Sequence, residues 1–334
     1  MEQIIISNML IMKRIFLLVG LVLGLSATLS AQSVVCETLH YATHEGQHLY
    51  LDRYTTADVA DGAVVDEPRP CMIFAFGGGF VRGERDAPFY MTYFESLARE
   101  GIVVVSIDYR LGLRNLGSDF SRDIGIKGLI DVMGRAVRIA VEDIYAATNF
   151  VLANAEAWGV DPESVMLSGS SAGAIASLQA EWLRACDAEL ASVLPDDFRY
   201  AAVVACAGAI FSADGRPRFT SEPAPMLLFH GTADSNVPYN KASIFGVGFY
   251  GSKYIAKQLD KLDALYWFYS AEYVDHTLAG TPLIDKCDLI KQFIRDYVID
   301  GRRAQIRTDV VAVDAAKCKT HFTPMDYLRT NYKR

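Results

Sequence analysis

The chain has 334 residues, 51% of them hydrophobic and 22% charged, so it can bury a large core without metals or a dense disulfide framework. Its formal net charge of -8 and pI near 5.3 exclude the electrostatic footprint that a nucleic-acid backbone or an anionic membrane surface would attract. No linker, internal repeat or low-complexity tract divides the middle of the chain, which favours one α/β unit over two domains.

The N-terminus reads as a secretory leader over residues 1–31. Met12-Lys13-Arg14 supplies a positive start, Ile15 to Leu25 an apolar core, and Ser26 to Ala31 a run of small residues ending like a cleavage site. Residues 1–11 precede that pattern, so 12–31 is the leader proper and Met12 the candidate initiator. The apolar core is shorter than the roughly 20 residues that span a bilayer, so an uncleaved anchor is the weaker alternative. Val35 is bulkier than the small residue that precedes a lipidated cysteine, which argues against lipidation at Cys36. The expectation is a secreted or periplasmic protein with no stable membrane association once the leader is cleaved.

Six cysteines in an exported chain can pair, but the connectivity of six cannot be read from spacing. Cys71 and Cys206 lie inside apolar runs and read as buried thiols, and a Cys287–Cys318 pair is the expected clip that would pin the C-terminal tail. No C-x-x-C pair occurs and the histidines are not interleaved with cysteines, so no metal and no cofactor are expected.

Past the leader, residues 32–300 read as one α/β domain. Leu49 to Tyr54 alternates like a strand and is followed by a polar connection from Asp61 to Arg69, together resembling an antiparallel entry hairpin. Apolar strands are then expected at Cys71 to Phe76, Ile102 to Ile107, Ser164 to Ser168, Tyr200 to Ala207, Pro225 to His230 and Leu265 to Ser270. Helices are expected at Pro88 to Glu100, along the apolar face Val137, Val141, Ile144 and Val151, and at Gly173 to Cys186, Ser252 to Leu262 and Pro282 to Val298. Apolar strands alternating with helices predict a mostly parallel sheet covered on both faces. Residues 301–334 form a tail of uncertain placement with a strand-like patch at Asp309 to Val313. Gly112 to Arg135 is polar; it either overhangs a site or simply connects two elements.

Ligands of open α/β sheets bind beyond the carboxyl ends of the strands, and three of those ends carry reactive-looking residues. Gly169-Ser170-Ser171-Ala172-Gly173 sits between a strand and a helix, where a nucleophile on a sharp turn needs small neighbours. Phe76-Gly77-Gly78-Gly79-Phe80 can aim successive N–H groups at one oxygen, and it lacks the Lys and Ser/Thr of a phosphate-cradling loop. His230-Gly231-Thr232-Ala233-Asp234 and Asp275-His276 follow the last two strands, so Ser171, Asp234 and His276 occur in the order nucleophile, acid, base. Asp275 is ranked below Asp234, because neighbours on a loop usually point apart. His40, His44, His48 and His321 read as surface or packing residues, and His230 as a structural residue at a strand end.

These motifs, with Asp108-Tyr109-Arg110-Leu111, resemble the α/β-hydrolase esterases over residues 68–300. The resemblance is to the branch with bacterial carboxylesterases, acetyl-xylan esterases and feruloyl-type esterases. It implies an α/β-hydrolase fold with helices on both faces of a mostly parallel sheet. It also implies Ser171 as nucleophile, His276 as base, Asp234 as orienting acid, and the N–H groups of Gly78, Gly79 and Ala172 as oxyanion hole. The implied substrate is a small-molecule or carbohydrate ester with a short acyl or flat aromatic acid, the acyl pocket walled by Phe76 and Phe80. Two departures stand out. Phe76 replaces a histidine common in relatives, as in type-B carboxylesterases, and Asp275 replaces the glycine that usually precedes the base. A serine peptidase and a non-catalytic binding protein of the same fold remain the alternative functions.

Overall fold

The computed structural model describes residues 33–57, 67–114, 125–313 and 316–332. The expected leader lies outside them, as do residues 115–124 of the segment read either as overhanging a site or as connecting two elements.

Two strands open the fold, β1 (Val34–His44) and β2 (Gln47–Thr56). They pair antiparallel through a two-residue turn at Glu45-Gly46, whose φ angles of 52° and 78° match the right-handed twist of the flanking strands. The turn of the entry hairpin therefore precedes Leu49, and the expected strand Leu49 to Tyr54 is the second arm of the hairpin rather than the first. His40 packs edge-on against His48 and Tyr50, and His44 Nδ1 lies 2.7 Å from Asp143.

Five buried strands follow in parallel: β3 (Arg69–Ala75), β4 (Val103–Ile107), β5 (Val160–Ser170), β6 (Ala202–Cys206) and β8 (Met226–Gly231). β11 (Tyr266–Ala271) and β12 (Gln305–Val310) complete a nine-stranded sheet in the order β1-β2-β4-β3-β5-β6-β8-β11-β12. β4, β6 and β8 are buried at every position, which explains why they read as continuous apolar runs rather than alternating ones. The strand-like patch expected at 309–313 lies earlier, at 305–310, where β12 pairs in parallel with β11 and caps the sheet edge. A small second sheet, β7 (Ala209–Ser212), β10 (Val247–Gly251) and β9 (Lys241–Ile244), went unread in the sequence, its strands being four or five residues long.

Helices α1 (Pro88–Arg99), α2 (Gly125–Ala153), α3 (Ala172–Ala185) and α4 (Ser252–Lys261) fall where the periodicity predicts them, with one difference. α2 begins at Gly125, so the second half of the expected 112–135 connection is helix. The single closing helix expected from Pro282 to Val298 is segmented. A turn at Thr281–Asp285 stops at Lys286, α5 (Cys287–Phe293) follows, and a π-helical stretch runs from Ile294 to Ile299. α6 (Pro324–Tyr332) ends the described chain, and Asn331 Nδ2 donates to the Asn236 carbonyl at 3.0 Å.

The helix that matters most for the site is α3, which passes almost in contact with β3. A Cβ on Gly173 would stand 2.0 Å from the Ala75 carbonyl oxygen, a backbone atom that cannot yield. Gly173→Ala is therefore expected to destabilise the fold by about 3 kcal/mol through overpacking. Urea unfolding followed by circular dichroism would show this as a lower midpoint with an unchanged slope, and an unchanged midpoint would contradict the close approach.

Candidate active site

Ser171 occupies the turn between β5 and α3 with φ 51° and ψ -113°, a conformation costly for a residue with a Cβ. Its N–H is tied to the Cys206 carbonyl at 2.9 Å and its carbonyl accepts from Ile175 N–H at 2.9 Å, so the turn is held from both sides. The side chain is thereby lifted off the strand end, and Ser171 Oγ lies 2.8 Å from His276 Nε2.

His276 opens a short 3-10 turn after β11. The neighbouring Asp275 carboxylate caps that turn by accepting from Thr277 N–H at 3.0 Å, which turns it away from the imidazole. His276 Nδ1 instead lies 2.7 Å from Asp234 Oδ2, and the ring is 24% exposed while Asp234 is fully buried. With Asp234 accepting on Nδ1, the proton belongs on that nitrogen, leaving Nε2 free to accept from the serine.

Asp234 is held by its own loop, where Asn236 and Val237 N–H donate to Oδ1 at 2.8 and 2.9 Å. Burial pushes its carboxyl up, but hydrogen bonds and charge from His230 and His276 outweigh that and hold it well below the usual carboxylate range. Since the folded value is depressed, the stabilisation is present at neutral pH and is lost as the pH falls below the ordinary carboxylate range toward that value.

The glycine loop after β3 runs over the serine, because a Cβ on Gly77 would stand 3.3 Å from the Ser171 Cβ. Gly78 and Gly79 have φ of 130° and 66°, open to glycine, and a Cβ on Gly78 would collide with the Arg82 carbonyl at 1.9 Å. Val81 and Arg82 N–H close the loop on the Gly78 carbonyl at 3.1 and 3.2 Å. Among the described residues, the N–H groups of Gly78, Gly79 and Ala172 donate to no protein acceptor. The structure thus brings Ser171, His276 and Asp234 into one hydrogen-bonded chain and sets the glycine loop beside it.

Two expectations fail here. Phe76 and Phe80 are only 2% and 1% exposed and pack on Tyr109, with ring centroids 4.5 and 6.4 Å away, so they form the floor beneath the loop rather than pocket walls. The reason is the loop's tight curl, which turns both flanking side chains inward. The expected Cys287–Cys318 clip is also absent, since all six cysteines are free thiols. Cys318 Sγ faces the Tyr273 carbonyl at 3.5 Å, while burial and a hydrogen bond to Ser96 surround Cys287. β12, not a disulfide, ties the tail to the sheet.

Sequence reasoning missed the groups that brace the glycine loop. Tyr109 O–H donates to the Phe76 carbonyl at 2.7 Å, and Gly77 N–H donates to Tyr90 Oη at 3.2 Å. The available signal was Phe76 itself, since a ring without polar atoms leaves the loop's support to other residues. Tyr109→Phe leaves the buried Phe76 carbonyl without its partner and is expected to cost about 1–3 kcal/mol. Chemical denaturation of the variant checks this, and a midpoint equal to wild type would mean that the carbonyl finds another donor.

Comparison with known proteins follows the same lines. The carboxylesterase family model matches residues 30–182. Esterase B1 of Culex pipiens is 36% identical over 112 residues, covering 34% of this chain and 18% of that protein. Fumonisin B1 esterase of Sphingopyxis macrogoltabida is 34% identical over 128 residues, covering 38% and 22%. The chain thus matches about a fifth of the length of these curated relatives. In three dimensions the esterase 2 of Thermogutta terrifontis, phosphoramylated by tabun, superposes with a TM-score of 0.57 over 78% of this chain and 94% of that one, at 22% identity. The same protein with butyrate bound gives a TM-score of 0.53 at 20% identity over the same shares. The sheet order and these likenesses show an α/β-hydrolase fold, and residues 30–182 match the carboxylesterase family model.

Proposed function

We propose that this protein is a serine esterase that cleaves carboxylic esters through an acyl-enzyme. The observation that carries the reading is the unbroken chain Ser171 Oγ to His276 Nε2 at 2.8 Å and His276 Nδ1 to Asp234 Oδ2 at 2.7 Å, beside a strained elbow.

In this reading His276 Nε2 takes the Ser171 proton as Oγ attacks the ester carbonyl carbon. Asp234 stays ionised, holds the tautomer and stabilises the imidazolium that forms. The N–H groups of Gly78, Gly79 and Ala172 receive the oxyanion, with Ala172 at the positive end of α3 adding its dipole. Collapse of the tetrahedral species expels the alcohol, which takes its proton from His276. Water attacks the acyl group by the same route, returning free Ser171 and a carboxylic acid.

The leader pattern supports an exported enzyme, and the likeness to esterases supports a small ester substrate. A carbohydrate or similarly polar alcohol carrying a short acyl group is the substrate that fits both.

Ser171→Ala and His276→Ala are each expected to lower kcat on a short aryl ester by about 10⁴- to 10⁶-fold with folding intact, and Asp234→Asn by about 10⁴-fold, because the three act as a unit. Activity near wild type in a folded Ser171→Ala protein would sink the assignment, as would an organophosphate adduct mapped to another serine. An aryl amide run beside the ester separates a peptidase from an esterase.

A chain-length series beginning at acetyl and butyryl aryl esters, run with acetylated and feruloylated xylan fragments, tests the substrate. The expected outcome is highest kcat/KM at the short end with release from at least one sugar ester. Rates that climb toward long fatty acyl groups, with no sugar-ester release, would put a lipase-like enzyme in its place.

A further inference from the structure

We propose that His230, fully buried beneath the acid loop, is a positioning residue for Asp234, held by the two acceptors that face Nε2 in the tautomer that donates from that nitrogen. The inference rests on the triad reading above and extends it to a second imidazole on the same carboxylate.

His230 lies on β8, four residues before Asp234. Its Nδ1 is 2.8 Å from Ser252 Oγ at the start of α4, and both residues are fully buried. Its Nε2 is 3.2 Å from the Val237 carbonyl and 3.4 Å from Asp234 Oδ2. Both groups facing Nε2 are pure acceptors, so a proton on Nδ1 alone would set a lone pair against two oxygens. Ser252 accommodates that choice, since its hydroxyl can donate to Nδ1 and leave Nε2–H pointing into the acid loop.

The Nε2–H bonds chiefly to Val237, whose own N–H donates to Asp234 Oδ1 at 2.9 Å. The bond therefore fixes the far end of the loop that cradles the carboxylate. The longer contact to Oδ2 places a second positive dipole on the atom that accepts from His276. Asp234 is held in one rotamer, and its charge is shared between two imidazole N–H groups instead of resting on one. Among the described residues, the other titratable groups beside the pair are Tyr239, its ring centroid 5.6 Å from that of His230, and Tyr327 on α6. Burial pushes both phenols up, so they stay neutral at neutral pH.

A test on the wild type needs no variant. Nitrogen-15 shifts of His230 are expected to show a protonated Nε2 and an unprotonated Nδ1 at neutral pH, and the opposite tautomer overturns the proposal.

The variants His230→Phe, His230→Gln and Ser252→Ala supply the functional arm. His230→Phe keeps the volume and removes both nitrogens. Its kcat on a short aryl ester is expected to fall about 10- to 100-fold with little change in KM. The His276 imidazole, followed by NMR, should titrate at higher pH, because Asp234 then gives its whole charge to one partner. His230→Gln returns an N–H near the Nε2 position and should recover most of the lost rate, while Ser252→Ala should shift both readouts in the His230→Phe direction, but less. A folded His230→Phe protein with unchanged kcat and unchanged His276 titration rejects the proposal. Lost activity with an unmoved His276 titration also rejects it, since that pattern is a purely structural defect. If His230→Phe does not fold, Ser252→Ala and the tautomer measurement decide. Absence of ester hydrolysis in wild type would instead defeat the esterase reading, and the two NMR measurements would still judge this one.

Discussion

The Ala75 and Phe76 carbonyls lie so close to Gly173 that helix α3 and strand β3 share a boundary with no room for a side chain. That contact sets the depth at which α3 begins, and so the height at which Ser171 stands above the sheet. With Ser171 N–H bonded to the end of β6, the elbow cannot relax toward an ordinary φ without losing that bond and the approach of α3. The strain at Ser171 is thus held by burial of the strands on either side, and the serine is presented because its surroundings cannot yield.

A second constraint is the burial of Asp234. An ionised carboxylate far from water is tolerated only where donors surround it, and two loop N–H groups plus two imidazoles do so here. His276, by contrast, is partly exposed at the end of a turn capped by Asp275. In the proposed esterase reading the acid is fixed and the base is reachable, the division needed for a proton to travel between Ser171 and an incoming substrate. The glycine loop follows the same logic, with freedom at Gly78 and Gly79 and rigidity below, where Tyr109 and Tyr90 hold Phe76 and Gly77.

Much of this was legible residue by residue. Gly169 to Gly173, the triple glycine and the order Ser171, Asp234, His276 lie in short windows, and local backbone geometry limits what such windows can become. The parallel strands were legible because burial on both faces forces an apolar run whatever the partner. The entry hairpin was misplaced because its signal, Glu45-Gly46, adopts positive φ without an Asn-Gly or Asp-Gly pair. The closing helix was read as one piece because apolar periodicity does not register the break at Lys286 or the widened turns from Ile294 to Ile299.

The sequence by itself determined the α/β alternation, the elbow serine and the glycine loop, because each depends on residues close together in the chain. Only the tertiary structure decided what meets across long separations. Tyr109 reaches the Phe76 carbonyl, Ser252 meets His230, β12 rather than a disulfide ties the tail to the sheet, and Phe76 and Phe80 face the core instead of a ligand. The physical reason is that side-chain direction in a curled loop and strand order in a sheet are set by packing against distant partners. A linear pattern records how apolar a segment is, but not what it will touch.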